Sequence, residues 1–125
     1  MRLTLAQYLE HEARMLPKQK SNPDAVEREA DLHQQIMDYC RVKGWYYVRS
    51  RMDRRSTTAA GTPDLIIAAC CLDRFPANQT FWIECKARKS KTSPAQLATL
   101  AHLQKLGHTA AIVTNMDEFR KVVEG

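Results

Sequence analysis

No apolar run in this sequence exceeds eight residues, the longest being Leu65 to Leu72. A membrane-spanning helix needs about 20, so no membrane span is expected. The start of the chain does not read as a secretory signal, because Glu10, His11 and Glu12 interrupt the short apolar stretch after Arg2. Glycine and proline are sparse, four and five residues, and neither recurs with a period, which excludes collagen-like and low-complexity chains. Cysteine is scarce too. Cys40, Cys70, Cys71 and Cys85 lack the paired, loop-bordered spacing of a disulfide framework. No C-x₂₋₄-C pair occurs, which argues against a zinc site. The thiols read as reduced, as in a cytoplasmic, intracellular protein.

What is present fits one globular domain. The chain has 125 residues, 44% hydrophobic and 26% charged, enough to bury a core but too short for a separate recognition domain. The net charge is +5, unevenly spread. Residues 41–60 carry +5 and residues 86–91 carry +4, whereas 1–40 and 61–85 each carry −2. Two basic blocks thus border an acidic segment. They are either solvated loops or contacts for a polyanion such as nucleic acid.

The pattern of elements predicts α, α, β, β, β, α, β, α, an α/β or α+β chain. Residues 3–15 read as a short amphipathic helix and 16–22 as a linker. A long helix is expected next, with Asn22 as N-cap, Pro23 at its first position and Gly44 just past its end. Strands are expected at 45–50, 64–71, 81–87 and 109–114, the second of them buried, with a basic loop at 51–62 and a turn at 73–80. Ser93 and Pro94 open a helix that Gly107 closes, and 117–123 form a last one.

Three polar residues fall where apolar ones belong. Projecting the long helix at about 100° per residue groups Val26, Ala30, Leu32, Ile36, Met37, Tyr39 and Cys40 in one arc. Glu29 and His33 lie inside that arc, whereas Glu27, Asp31, Gln34, Gln35 and Asp38 lie opposite. A buried carboxylate must be paired, hydrogen-bonded or bound to metal; alternatively, Glu29 reaches solvent at the helix start. His33 has the alternative of a satisfied core histidine. In the helix after Ser93, Gln96 points among Leu97, Leu100, Leu103 and Leu106, as a buried hydrogen-bonding residue or one aimed at a site.

Strand alternation puts Phe81, Ile83 and Cys85 on one face and Trp82, Glu84, Lys86 and Arg88 on the other. Asp64 opens the preceding strand after Gly61-Thr62-Pro63. If the two strands pair, Asp64 and Glu84 come together. Two such carboxylates repel unless a cation sits between them, and oxygen ligands suit Mg²⁺ or Mn²⁺. A neighbouring lysine can meet a phosphate oxygen or help deprotonate a water. Metal-assisted phosphodiester hydrolysis uses this set. Glu-x-Lys or Pro-Asp alone is weak; order, spacing and context together are strong.

Glu29 in EADLHQQI, the run GTPD ending at Asp64, IECK with Glu84 and Lys86, and SPAQL with Gln96 resemble the virus-type replication-repair nuclease (VRR-NUC) family of the PD-(D/E)XK nucleases. GWYYVRS and LGHTAAIVTN also fit. The resemblance covers about residues 24–123. It implies a restriction-endonuclease-like α-β-β-β-α-β core with a mixed four-stranded sheet flanked by helices. It implies that Asp64 and Glu84 ligate Mg²⁺ or Mn²⁺ with the backbone carbonyl of Cys85, and that Glu29 joins directly or through water. It further implies that Lys86 activates or orients the water and that Gln96 orients Lys86 or the water, with His33 behind them. Residues 23–125 would be the nuclease domain, and 1–22 a helix and linker, the candidate dimer element or simply a covering helix. Single-domain members of the family are associated with phages and bacteria, homodimers and cleavage of branched DNA, including four-way junctions. Arg49, Arg51, Arg54, Arg55, Arg88, Lys89 and Lys91 are the candidate contacts to DNA phosphates. A DNA-branch-binding protein that does not cut, and a restriction-type duplex endonuclease, are the alternatives.

Overall fold

The computed structural model describes residues 4–8, 22–50 and 61–125. All of the expected helix at 3–15 except residues 4–8, all of the expected linker at 16–22 except Asn22, and residues 51–60 with Arg51, Arg54 and Arg55 lie outside these residues. The described part contains strands β1 (Tyr46–Arg49), β2 (Leu65–Cys70), β3 (Asn78–Cys85) and β4 (Thr109–Val113). Three helices accompany them: α1 (Glu29–Lys43), α2 (Pro94–Lys105) and α3 (Met116–Glu124). The strands form one mixed sheet in the order β1-β2-β3-β4. β1, β2 and β3 pair antiparallel, and β3 and β4 pair parallel. The parallel pair needs a crossover, and α2 supplies it.

The core forms between one sheet face and two helices. Leu65, Ile67 and Ala69 of β2 and Phe81, Ile83 and Cys85 of β3 meet Leu32, Ile36, Met37 and Cys40 of α1 and Phe119 and Val123 of α3. The opposite face is covered unevenly. Ala68 and Cys70 of β2 are exposed, so β2 is buried on one face and not throughout, as its apolar run led us to expect. Over β3, α2 fills that opposite face: Gln96 on α2 reaches Glu84, which points away from Ile83 and Cys85.

Helix α1 starts at Glu29, six residues later than the Asn22–Pro23 signal predicts. Tertiary hydrogen bonds explain the delay. Asn22 Oδ1 accepts from the N–H of Asp24, which closes a turn. The N–H of Val26 donates to the Thr114 carbonyl, and the Val26 carbonyl accepts from Arg88 N–H. The segment is thereby tied to the ends of β4 and β3 and cannot be helical. Ala30, expected on the apolar arc, is exposed. The other signals act as expected. Gly44 ends α1 at φ +73°, Ser93 and Gln96 form a reciprocal capping box on α2, and Asn115 caps α3. β3 begins three residues earlier and ends two residues earlier than its apolar pattern suggests, because Asn78, Gln79 and Thr80 pair with β2. Leu106 lies past the end of α2 and is exposed rather than part of its leucine face.

At the N-terminal end, residues 5–8 are helical, with Thr4 and Gln7 capping each other. Tyr8 lies edge-on against His102 of α2, ring centroids 5.5 Å apart.

Gly61 positions the entry to β2. It has φ +88°, and a Cβ there would lie 2.5 Å from the Ala95 carbonyl oxygen. Gly44 shares the left-handed backbone, but a Cβ there would meet nothing within 4 Å. Gly44→Ala should therefore cost only the left-handed penalty of about 1–2 kcal/mol. Gly61→Ala should cost clearly more, because it must also push α2 away. Urea unfolding of both variants checks this; equal losses would contradict the packing at Gly61.

Candidate functional site

The register of β2 and β3 decides where the polar residues meet. Leu65 pairs with Ile83, so one step further along the ladder Asp64 stands opposite Glu84. Both carboxylates are buried, with Asp64 8% and Glu84 1% exposed. Asp64 is held from two sides. Its Oδ2 accepts from the N–H of Cys85 at 3.0 Å and from Nε2–H of His33 at 3.2 Å. Glu84 is held from one. Its Oε1 accepts from Gln96 Nε2 at 2.9 Å, and its Oε2 is buried with no hydrogen-bond partner.

Lys86 lies two residues beyond Glu84, and its side chain is largely buried. Its Nζ is 3.6 Å from Glu84 Oε1 and 4.0 Å from Glu29 Oε1. Glu29, the first residue of α1, is half-buried, so it meets both readings of its position in part: it starts the helix and also faces the cluster. Gln96 accepts from the N–H of its cap residue Ser93 through Oε1, which turns its amide nitrogen toward Glu84. The capping geometry thus aims the side chain. It touches Glu84, whereas the resemblance implied that it orients Lys86 or the water.

The electrostatics follow from this packing. Burial, the adjacent Asp64 charge and the hydrogen bond that a protonated Glu84 gives Asp64 push Glu84 up to about 8, against the pull of Lys86. Burial also works to raise Asp64, but hydrogen bonds from His33 and from the Cys85 N–H outweigh it and hold Asp64 below the usual carboxylate range. Burial raises the Cys85 thiol strongly. The pair is therefore split, one carboxylate readily ionised and the other retaining a proton. A divalent cation between them would remove the conflict and supply the partner that Glu84 Oε2 lacks. Two carboxylate oxygens suit Mg²⁺ or Mn²⁺, so the residues present fit such an ion.

Arg49, Lys89 and Lys91 are exposed. Arg88 is exposed as well, but its Nη2 donates to the Pro23 carbonyl at 2.8 Å, which anchors the segment before α1. The spacing of residues along the chain gave no sign that the Cys85 thiol joins His33 and Asp64. These groups sit on three elements, and a strand's alternation shows only which face a thiol takes.

Neither a protein-family model nor a curated protein sequence matches the chain. A solved structure described as a VRR_NUC domain does match in three dimensions, with a TM-score of 0.59 and 20% identity. The fold is that of a VRR_NUC domain. The match spans 79% of this chain and 97% of that one, so nearly the whole of that domain has its counterpart here. The mixed sheet and flanking helices are the architecture expected of the PD-(D/E)XK core.

The split carboxylate pair has a consequence for stability. Glu84 has its pKa raised on folding, from an ordinary 4.5 to about 8. Its contribution is complete below about 4.5 and disappears as pH rises through about 8. Asp64, lowered on folding, contributes above its ordinary 3.8 and loses that contribution only in more acid solution. The metal-free protein should thus lose melting temperature between pH 5 and 8, and Glu84→Gln should flatten that decline. Equal slopes for the two proteins would sink the assignment.

Proposed function

We propose that this chain is a metal-dependent DNA endonuclease that cuts branched DNA as a homodimer. One observation carries the reading: Glu84 Oε2, buried and with no donor to satisfy it once ionised, belongs to a carboxylate that faces Asp64. An unsatisfied buried acceptor costs about 1–3 kcal/mol, and a hard divalent cation is the partner this pair of oxygens would accept. Asp64 and Glu84 would hold Mg²⁺ or Mn²⁺, the Cys85 carbonyl would add an oxygen, and Glu29 would join directly or through water. When bound, such an ion polarises a phosphoryl oxygen and lowers the pKa of a coordinated water.

The chain's own groups do the rest. Lys86, held between Glu84 and Glu29, brings a positive charge to the phosphate oxygens and orients the attacking water. Gln96 fixes the Glu84 carboxylate, and His33 fixes Asp64. Arg49, Lys89 and Lys91, all exposed, would contact DNA phosphates, joined by Arg51, Arg54 and Arg55 from the sequence between β1 and β2. Contacts of this type read backbone shape and weaken with salt. Arg88 already has a backbone partner in Pro23 and would contribute charge more than a directed contact. A four-way junction needs two cuts, and a domain of this size offers one site, so a symmetric dimer is the economical solution.

The decisive assay compares a labelled four-way junction with linear duplex, with and without Mg²⁺ or Mn²⁺. The reading predicts metal-dependent cutting of the junction by a species of twice the 14.3 kDa chain mass in light scattering. Lys86→Ala should abolish cleavage, by a factor of at least about 10², while junction binding persists. Binding by the wild-type protein without cleavage in either metal would refute the enzyme. Sequence-specific duplex cutting would instead support a restriction-type activity.

A further inference from the structure

His33 on α1, Asp64 just before β2 and Cys85 at the end of β3 converge inside the protein. One imidazole nitrogen, one carboxylate oxygen and one thiol sulfur lie within 4.8 Å of one another. The shortest of these separations that the hydrogen bonding defines is His33 Nε2 to Asp64 Oδ2, 3.2 Å. His33 and Cys85 are fully buried and Asp64 nearly so. His33 Nδ1 is buried and has no hydrogen-bond partner, so among the described residues the ring's only hydrogen bond is the one that Nε2–H gives to Asp64.

This donor set differs in kind from the all-oxygen set around Glu84. Mg²⁺ takes oxygen ligands. Imidazole and thiolate suit softer cations, zinc foremost. Tetrahedral zinc, with bonds of about 2.0–2.3 Å, sets its donors about 3.5 Å apart. Closing the three groups on such an ion takes side-chain movements of about 1 Å, and three protein donors with a water at the fourth position make a complete open zinc coordination.

We propose that His33, Asp64 and Cys85 form a second cation site, selective for a thiophilic divalent cation of the zinc class, which competes with the Glu84 side for the single Asp64 carboxylate. On binding, the Cys85 thiol gives up its proton to solvent and ligates as thiolate. His33 ligates through Nε2 as neutral imidazole, its ring proton passing to Nδ1, and its hydrogen bond to Asp64 is replaced by a shared metal. The binding stands on these three residues alone. Its consequence, that a soft cation draws Asp64 away and silences chemistry that depends on a hard one, rests on the nuclease reading.

Cadmium reports the site directly, because a Cd²⁺–thiolate bond absorbs in the near ultraviolet. Metal-free protein, without DNA or Mg²⁺, is titrated with Cd²⁺. The expected result is a saturable thiolate charge-transfer band at one equivalent per chain. Cys70→Ser, which removes an exposed thiol, should keep the band, and Cys85→Ser should lose it. His33→Gln should weaken binding by at least the roughly tenfold that even an outer partner of a metal ligand is worth. The proposal is overturned by no band in the wild type, by loss of the band in Cys70→Ser, or by an unchanged band in Cys85→Ser. If circular dichroism shows that Cys85→Ser does not fold, His33→Gln decides, and undiminished binding overturns the site. The titration is separable from the cleavage assay: a missing band leaves the nuclease reading intact, and missing cleavage leaves the cadmium site intact.

Discussion

Two carboxylates opposed across adjacent strands, Asp64 and Glu84, are the constraint around which the rest of this fold is arranged. Buried together, they repel. The structure relieves that repulsion unequally. Asp64 receives two donors, the Cys85 N–H and His33. Glu84 receives Gln96 on one oxygen and none on the other. The asymmetry pushes their proton affinities apart, so the protein holds one ready anion beside a carboxyl that retains its proton. Lys86 and Glu29 complete the cluster with one charge of each sign.

Several elements of the domain each contribute one piece of this arrangement, and the pieces depend on one another. The β2–β3 register sets the carboxylates face to face. The capping box of α2 does two jobs, starting the helix and turning the Gln96 amide onto Glu84. Gly61 lets the chain pass against the first turn of α2 into β2, which places Asp64. The backbone bonds of Val26 to Thr114 and Arg88 delay α1 until Glu29, so that the first helical residue is the one that meets Lys86. Sheet, cap and glycine are local devices with one joint effect.

Much of this could be read from the sequence, for reasons that are physical. Glu29, His33 and Gln96 stand out because helical periodicity makes a polar residue on an apolar face visible. Asp64 and Glu84 could be brought together because two strands joined by a short turn pair antiparallel, and alternation fixes the face. What periodicity does not contain is tertiary hydrogen bonding. Asn22 and Pro23 carry a correct helix-start signal locally, yet β4 and β3 capture the backbone first. The exposure of Ala68 and Cys70 was hidden for a similar reason, since an apolar run shows that a strand is buried but not whether both faces are covered. The meeting of the Cys85 thiol with His33 and Asp64 depends on how α1 lies over the end of the sheet, which no spacing encodes.

The same geometry sets Asp64 between the oxygens of Glu84 and the nitrogen and sulfur of His33 and Cys85. The central claim is that the Asp64–Glu84 pair accepts a hard divalent cation, and a crystal soaked in Mn²⁺ tests it most directly. The account predicts an anomalous difference peak between the Asp64 and Glu84 carboxylates, within bonding distance of an oxygen of each. Full Mn²⁺ occupancy elsewhere, with Glu84 Oε2 still lacking a partner, would contradict it.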